Sequence, residues 1–203
     1  SLIALDKITF LRYYKDGCFV LDTRSSKSFS KMHLKGSINI SLNGRYAISA
    51  ANLIDVKTNL LIISDIGFEK ESIVRLNRVG FDNIIGFLSG GINSIKNEKK
   101  LIDSVEEKSG KDLHLLNSHE IIDVRNKSEF DTLRVKGAKN YPLFDIINNT
   151  SKFKTNKKYV IHCLTGYRSS IASSLLKKHN INNIINVKDG FNGISKNNKV
   201  ILQ

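Results

Sequence analysis

The chain carries an internal repeat that relates its first half to its second. Val20-Leu21-Asp22-Thr23-Arg24 matches Ile121-Ile122-Asp123-Val124-Arg125 at a separation of 101 positions, with no gap. The same separation joins three further pairs, namely Phe29 with Phe130, Gly36 with Gly137, and Asn39 with Asn140. One repeat has the length of an ordinary domain, so the 203 residues are predicted to form a tandem duplication.

The predicted boundary between the two copies lies near residue 101, because polar and charged segments are found there. They are Asn97-Glu98-Lys99-Lys100 and Glu106-Glu107-Lys108-Ser109-Gly110-Lys111-Asp112. We therefore expect a first domain at 1–100 and a second domain at 101–203.

Within each copy, apolar runs typical of buried strands alternate with helical patterns. The runs Leu60–Ile63 and Tyr159–Ile161 correspond, as do Asn83-Ile84-Ile85 and Asn183-Ile184-Ile185. Alternation of this kind predicts βαβ units. The expected fold class is α/β, with two similar domains that are each a mostly parallel sheet covered by helices on both faces.

Cys163 lies between a predicted strand and a predicted helix. It opens the segment Cys163-Leu164-Thr165-Gly166-Tyr167-Arg168-Ser169-Ser170. A helical face follows, formed by Ile171, Ala172, Leu175 and Leu176. Backbone N–H groups and the positive end of the helix dipole converge on such a loop, and Arg168 is a nearby cation. We therefore expect the Cys163 thiol to be ionised and reactive.

The second half resembles a rhodanese domain from end to end. The resemblance is carried by Asp123-Val124-Arg125, Gly137-Ala138-Lys139-Asn140-Tyr141-Pro142, the loop from Cys163 to Ser169, and Asp189-Gly190-Phe191. It implies a sulfurtransferase of the thiosulfate type whose active-site loop is 163–168. The implied catalytic residues are Cys163 and Arg168. The implied substrate-binding loop residues are Leu164, Thr165, Gly166, Tyr167 and Ser169. Asp123 and Arg125 are expected to give structural support.

The first half resembles the same domain but departs from it at the loop. Ser64-Asp65-Ile66-Gly67-Phe68-Glu69 occupies that position, so Ser64 replaces the cysteine and Glu69 replaces the arginine. Ser64 has no adjacent histidine to accept its proton, and Glu69 would repel an anionic ligand. We expect this domain to be catalytically silent and to support the second.

The length of the Cys163 loop favours sulfur chemistry over phosphate chemistry. Phosphatases of the Cys-x5-Arg type have five residues between cysteine and arginine, whereas this loop has the four residues from Leu164 to Tyr167. A tighter cradle suits a single sulfur atom on the cysteine, and backbone N–H groups would stabilise its charge. We expect Gly166 to meet a need for positive φ or for close backbone approach.

The expected mechanism is ping-pong transfer of sulfane sulfur. Cys163 would take sulfur from thiosulfate or a low-molecular-weight persulfide and pass it, as a persulfide, to a thiol or to cyanide. Two alternatives stay open. The chain could be a sulfur relay or docking module without free turnover, or it could donate sulfur for tRNA thiolation.

Several of these residues also have a structural interpretation. Cys163 could be a buried packing residue, and Cys18 is expected to belong to the core. Asp123 and Arg125 could act as acid and base, although a charged pair at a strand end is more often structural. His162 should point away from Cys163, because successive side chains alternate along a strand. Tyr167 could line the pocket mouth or shield the loop.

Composition narrows the classes of protein that need to be considered. Two cysteines, with no metal-ligand spacing, predict a reducing cytoplasmic setting, no disulfide framework and no metal or cofactor in this chain. No apolar run is long enough for a membrane span. The net charge of +13 allows a nucleic-acid partner, but the scattered lysines do not favour one. The expected partners are small sulfur donors and thiol acceptors.

The chain also resembles the C-terminal rhodanese pair of bacterial fusions with a metallo-β-lactamase-fold persulfide dioxygenase. It begins at Ser1 rather than Met, which leads us to expect a piece of a longer protein. If so, a mononuclear metal is expected only in an upstream domain that this chain does not contain.

Overall fold

In the computed structural model, the chain divides into two compact units. The structure describes residues 2–203, so Ser1, on which the expectation of a longer protein depends, lies outside the described residues. We call the residues up to Ser104 unit 1 and the residues from Val105 to Gln203 unit 2. The division falls after Ser104 because Ile102–Asp103 pairs with His33–Leu34 of unit 1.

Unit 1 contains a five-stranded parallel sheet within its described residues. The strands of unit 1 are β1 Ala4–Leu5, β2 Phe19–Asp22, β3 His33–Leu34, β4 Ile38–Asn39, β5 Leu60–Ile63, β6 Ile84–Leu88 and β7 Ile102–Asp103. Its helices are α1 Lys7–Lys15, α2 Ser26–Lys31, α3 Tyr46–Leu53 and α4 Glu69–Asn77, with a 3₁₀ helix at Gly91–Ile95. The strand order is β1-β6-β5-β2-β4, and β3 pairs with β7 in a separate antiparallel ladder.

Unit 2 has a parallel sheet of the same kind, with the order β10-β9-β11-β12-β8. Its strands are β8 Glu106–Lys108, β9 Glu120–Asp123, β10 Lys139–Asn140, β11 Tyr159–His162 and β12 Ile184–Val187. Its α-helices are α5 Lys127–Thr132, α6 Tyr167–Lys178 and α7 Gly190–Ile194. Its 3₁₀ helices are Gly110–Leu115, Leu143–Asp145 and Ile147–Lys152.

The predicted α/β class, with parallel sheets flanked by helices, is confirmed in both units. The central strands β5 and β11 are buried along their whole length, which is why each reads as a nearly continuous apolar run. Phe10 and Leu61 belong to the apolar core of unit 1, and Val160 and Val187 belong to that of unit 2.

Each sheet has one point at which the strand order reverses direction. The chain moves outward from β2 to β4 and then crosses back to β5, and it moves in the same way from β9 to β10 and then to β11. In parallel α/β sheets, ligands bind beyond the carboxyl ends of the strands at such a point. The residues that follow β2 and β5 in unit 1, and β9 and β11 in unit 2, are therefore placed where a site is expected.

None of the helices formed by residues 2–203 combines the length and the apolar character needed to cross a lipid bilayer.

Candidate active site

Cys163 follows β11 directly and stands at the point where the strand order of unit 2 reverses. The backbone N–H of Gly166 donates a hydrogen bond to the Cys163 Sγ over 3.2 Å. The residue is buried, at 1% exposure. Inert core cysteines are buried to the same degree, so the feature that distinguishes Cys163 is the amide directed at its sulfur.

Gly166 forms the sharp turn between the loop and helix α6. Its φ is +97°, a left-handed conformation that side chains rarely adopt. A Cβ at this position would also overlap the backbone carbonyl of Lys188. Gly166 therefore shows both the positive φ and the close backbone approach that were expected of it. Together these two features place its N–H against the sulfur.

The start of helix α7 holds the Cys163 loop from the other side. The N–H of Phe191 donates to the carbonyl oxygen of Cys163 over 2.6 Å, and the N–H of Asn192 donates to that of Leu164 over 3.1 Å. A Cβ on Gly190 would overlap the same two carbonyl groups. The Asp189-Gly190-Phe191 turn thus packs backbone against backbone on the loop that carries the thiol.

Arg168 lies in the first turn of α6 and makes a two-pronged ion pair with Glu129. Its Nη1 and Nη2 donate to the two carboxylate oxygens over 2.6 and 2.8 Å. These hydrogen bonds raise the pKa of Arg168 against the opposing effect of burial. The same hydrogen bonds hold the pKa of Glu129 below its usual value.

The sequence analysis did not single out Glu129, although a signal for it was present. Glu129 also accepts a hydrogen bond from the backbone N–H of Asn126 over 3.0 Å, and so completes a capping box at the start of α5. The pattern Asn126-x-x-Glu129 predicts such a box. It gives no indication that the carboxylate also binds Arg168, 39 positions further along the chain.

Asp123 and Arg125 form a buried pair at the end of β9. The Arg125 Nε donates to both carboxylate oxygens of Asp123, over 3.0 and 2.9 Å, and Nη2 donates to one of them over 2.6 Å. Nη2 also donates to the carbonyl of Leu133, just after α5. The guanidinium carbon lies 4.1 Å from the centre of the Phe191 ring. The pair therefore connects the segments after β9 and α5 with α7, an arrangement suited to support.

His162 is completely buried, and both of its ring nitrogens lie near oxygen atoms. Its Nδ1 lies 3.3 Å from the carbonyl oxygen of Cys163, and its Nε2 lies 3.7 Å from a carboxylate oxygen of Asp123. Burial lowers the pKa of His162, against the opposing effect of Asp123, so the ring is neutral at pH 7.

The remaining loop residues differ in exposure. Leu164 is 38% exposed, Thr165 is exposed and Tyr167 is half-buried. Ser169 is buried and donates its hydroxyl to the Gly166 carbonyl over 3.1 Å, which stabilises the first turn of α6.

The corresponding loop of unit 1 has a glycine in a similar conformation but different chemistry. Gly67 has a φ of +92°, close to that of Gly166. Its N–H donates to the Glu69 carboxylate over 2.8 Å, whereas the N–H of Gly166 donates to sulfur. The Ser64 hydroxyl is buried and has no hydrogen-bond partner within residues 2–203. In unit 1 the loop amide thus donates to an acidic side chain, whereas the equivalent amide of unit 2 donates to the thiol.

Cys18, which was expected to belong to the core, is only half-buried. It packs against the core of unit 1. Burial, followed by the charge of Asp16, raises the pKa of its thiol. Among residues 2–203, no cluster of three or more His, Cys, Asp or Glu side chains could hold a metal ion.

A duplicated parallel α/β fold with a cysteine on one strand-to-helix loop defines the class of protein to which this chain belongs. The model of the rhodanese-like domain family matches residues 9–98 and again residues 103–197. The chain therefore belongs to the rhodanese-like domain family and contains two copies of the domain. The predicted tandem organisation is confirmed.

Two curated proteins of Bacillus subtilis (strain 168) resemble parts of the chain. The uncharacterized protein YqhL is 33% identical over 72 residues, which are 36% of this chain and 57% of that protein. The putative sulfur carrier protein YrkF is 27% identical over 101 residues, which are 50% of this chain and 55% of that protein. The chain thus spans little more than half the length of either relative.

Two solved structures that resemble the chain have TM-scores below 0.5 against it. A rhodanese-like domain protein from Staphylococcus aureus is 27% identical and covers 48% of this chain and 97% of its own, with a TM-score of 0.43. A thiosulfate sulfurtransferase from Pseudomonas aeruginosa is 16% identical and covers 100% of this chain and 43% of its own, also with a TM-score of 0.43. The family assignment does not depend on these structures.

Proposed function

We propose that the chain is a sulfurtransferase that carries sulfane sulfur as a persulfide of Cys163. The donor is thiosulfate or a low-molecular-weight persulfide, and the acceptor is a thiol or cyanide. The observation that supports this most directly is the Gly166 N–H, which donates to the Cys163 Sγ over 3.2 Å at the reversal point of the sheet.

The proposed reaction has two displacement steps. In the first, the Cys163 thiolate attacks the outer sulfur of thiosulfate. A bond forms between Sγ and that sulfur, the original S–S bond breaks, and sulfite leaves with the electron pair. In the second, the acceptor attacks the outer sulfur of the persulfide, and the Cys163 thiolate leaves. Both steps are nucleophilic displacements at sulfur, and neither requires a metal or an external oxidant.

Each part of the site has a role in this proposal. The Gly166 amide stabilises negative charge on Sγ or on the persulfide, as an oxyanion-hole donor would. Arg168 provides a positive group beside the loop and fastens the start of α6 to α5 through Glu129. Asp123 and Arg125 hold the surrounding segments. Unit 1, with Ser64 in place of the cysteine, is silent in this scheme.

Mass spectrometry of the intact protein tests the proposal. After treatment with thiosulfate and removal of the excess under non-reducing conditions, the wild type should gain the mass of one sulfur atom, and cyanide should remove it. Cys18→Ser should behave in the same way, because Cys18 lies in unit 1. Cys163→Ser should stay unmodified. Sulfur loading that persists in Cys163→Ser, or is lost in Cys18→Ser, would contradict the assignment.

A second candidate function is a sulfur relay without free turnover, and one of the comparisons favours it. YrkF is described as a putative sulfur carrier protein. A relay would accept a persulfide from a partner, for example from the persulfide dioxygenase domain of a fusion, and would turn over thiosulfate slowly. Steady-state assays with thiosulfate and with glutathione persulfide separate the two candidates, since only an enzyme turns over many times with a free acceptor.

A further inference from the structure

We propose that the Cys163 site prefers a donor whose sulfane sulfur is carried by a group with apolar organic surface, as in an organic persulfide or an organic thiosulfonate, over thiosulfate. The inference rests on the proposed function and specifies its substrate class. Two features carry it: the apolar residues at the mouth of the site, and the carboxylate that neutralises its cation.

A cavity in unit 1 indicates which positions surround the mouth of the equivalent Cys163 site in unit 2. A cavity of about 60 Å³ lies at the carboxyl edge of its sheet. The lining residues are Thr23, Ser25, Ser41, Leu42, Asn43, Asp65 and Phe68. They come from the segments after β2, β4 and β5, which surround the point where the strand order reverses. Hydroxyl, amide and carboxylate groups predominate among them.

The same backbone positions exist in unit 2, because equivalent hydrogen bonds fix them. The Leu42 N–H donates to the Thr23 carbonyl over 3.1 Å, and the Leu143 N–H donates to the Val124 carbonyl over 3.2 Å. Likewise, Thr23 N–H donates to Ile63 and Val124 N–H donates to His162, over 2.8 and 2.9 Å. Each residue that lines the cavity of unit 1 can therefore be matched with an equivalent residue of unit 2.

In unit 2 the equivalent positions carry mainly apolar side chains. They are Val124, Asn126, Pro142, Leu143, Phe144, Leu164 and Tyr167. Phe144 stands where unit 1 has Asn43, and Leu164 stands where it has Asp65. Phe144 is 44% exposed and Leu164 is 38% exposed, so both have apolar surface available to a ligand. We call Phe144 and Leu164 the apolar rim.

The charge at the site also disfavours a small dianion. Both terminal nitrogens of Arg168 donate to the carboxylate of Glu129, so the guanidinium is already paired with an anion. None of the seven equivalent mouth positions carries a basic side chain. Thiosulfate would have to compete with Glu129 for the guanidinium and would make no use of the rim. An organic group would instead bury apolar surface against the rim.

The chemical step balances for the preferred donor. The Cys163 thiolate attacks the outer sulfur of R–S–SH, and a bond forms between Sγ and that sulfur. The S–S bond to R–S breaks, and R–S⁻ leaves with the electron pair. The proton stays on the transferred sulfur, and no oxidant or reductant is consumed.

Three donors of graded structure test the proposal, with cyanide as the fixed acceptor. They are thiosulfate, methanethiosulfonate and benzenethiosulfonate. The last two carry a single negative charge; when Sγ attacks their outer sulfur, the S–S bond to the sulfonyl group breaks and a sulfinate leaves with the electron pair. Each value of kcat/KM is divided by the rate of the same donor with free glutathione, which removes differences in intrinsic reactivity. The corrected value should be about tenfold or more higher for benzenethiosulfonate than for methanethiosulfonate, as one apolar contact can provide. It should be lowest for thiosulfate.

Variants of the rim assign the preference to particular side chains. Phe144→Asn introduces the residue of unit 1, and Leu164→Ser removes the second apolar side chain while the backbone stays the same. Either change should reduce the advantage of benzenethiosulfonate over methanethiosulfonate severalfold. Because the two variants are independent, a folding defect in one still leaves the other as a test.

Ile201→Asn is the matched control. Ile201 is 64% exposed, and its carbonyl accepts a hydrogen bond from Lys136, which precedes β10 and so lies at the amino edge of the sheet. Its substitution should leave all three donors unaffected. Equal corrected values for the three donors, or an aromatic preference that survives in both rim variants, would overturn the inference while sulfur transfer stands. Failure of every donor to load Cys163 would instead contradict the proposed function.

Discussion

The two loop glycines offer a test of how the Cys163 loop is built, because their backbone conformations are similar but the space around them differs. Gly67 and Gly166 have φ values of +92° and +97°, and each stands between the residue after a central strand and the start of a helix. A Cβ on Gly67 would meet nothing within 4 Å. A Cβ on Gly166 would overlap the carbonyl group of Lys188, which is backbone and cannot rotate aside.

The expected costs of substitution by alanine follow from that difference. Holding an alanine in the left-handed region costs about 1–2 kcal/mol. Gly67→Ala should therefore lower the stability of unit 1 by about 1–2 kcal/mol. Overpacking adds about 1–3 kcal/mol, so Gly166→Ala should lower the stability of unit 2 by about 2–5 kcal/mol.

Hydrogen exchange followed by mass spectrometry measures both costs in the intact chain. Peptides from β5 and α4 report on unit 1, and peptides from β11 and α6 report on unit 2. The rate of sulfur loading on Cys163 gives a second readout. Displacement of the Gly166 amide should slow it about 100-fold, the usual effect of losing one oxyanion-hole donor. Gly67→Ala should leave loading unchanged.

Equal costs for the two substitutions would refute this reasoning. They would mean that the backbone of Lys188 yields to the new methyl group, so that close packing does not hold the amide in place. A normal loading rate in Gly166→Ala would show that the hydrogen bond from this amide to Sγ is dispensable.

Two further predictions concern charged and titratable groups. Glu129→Gln should lower the stability of unit 2 by about 1 kcal/mol or less, since the ion pair between Glu129 and Arg168 is about one quarter exposed. Because the substitution frees the Arg168 guanidinium for a donor, it should also increase kcat/KM for thiosulfate, a dianion, more than for methanethiosulfonate, a monoanion. An unchanged ratio would count against competition between the Glu129 carboxylate and the donor. Burial lowers the pKa of His162 below its usual 6.5. Below pH 6.5, His162 is therefore protonated in the unfolded chain while it stays neutral in the folded chain, and folding becomes less favourable. Stability should then fall by up to about 1.4 kcal/mol per pH unit on acidification, as urea titrations would show, and His162→Gln should have a shallower dependence.

The sequence was most informative where the physical cause is local. The repeat at Asp22 and Asp123 predicted two α/β domains, and the Cys163 segment predicted a strand-to-helix turn with Gly166 at positive φ, because strand periodicity and glycine geometry depend on near neighbours. The same local reasoning predicts that the His162 side chain points away from the sulfur. These features depend on residues a few positions apart.

Features that depend on distant residues were beyond that reasoning. The ion pair of Arg168 with Glu129, and the approach of the Lys188 carbonyl to Gly166, join segments that meet only after the sheet has formed. The net charge of +13 gave no indication that the cation at the loop is already paired with a carboxylate. Sequence alone therefore predicted a candidate site but not its local charge balance.

The carboxylate of Glu69 bears on how many changes unit 1 would need to acquire a thiolate loop. It occupies the Gly67 amide, and the position equivalent to Glu129 holds Ser28, whose N–H is bound by Ser25. Ser64→Cys would place a thiol beside an amide that already donates to Glu69, and beside an acid that repels the ionised thiol. Glu69→Arg would create a cation with no carboxylate at position 28 to pair with it. A thiolate loop like that of unit 2 would therefore need coordinated changes at positions 28, 64 and 69, because none of the three improves the loop by itself.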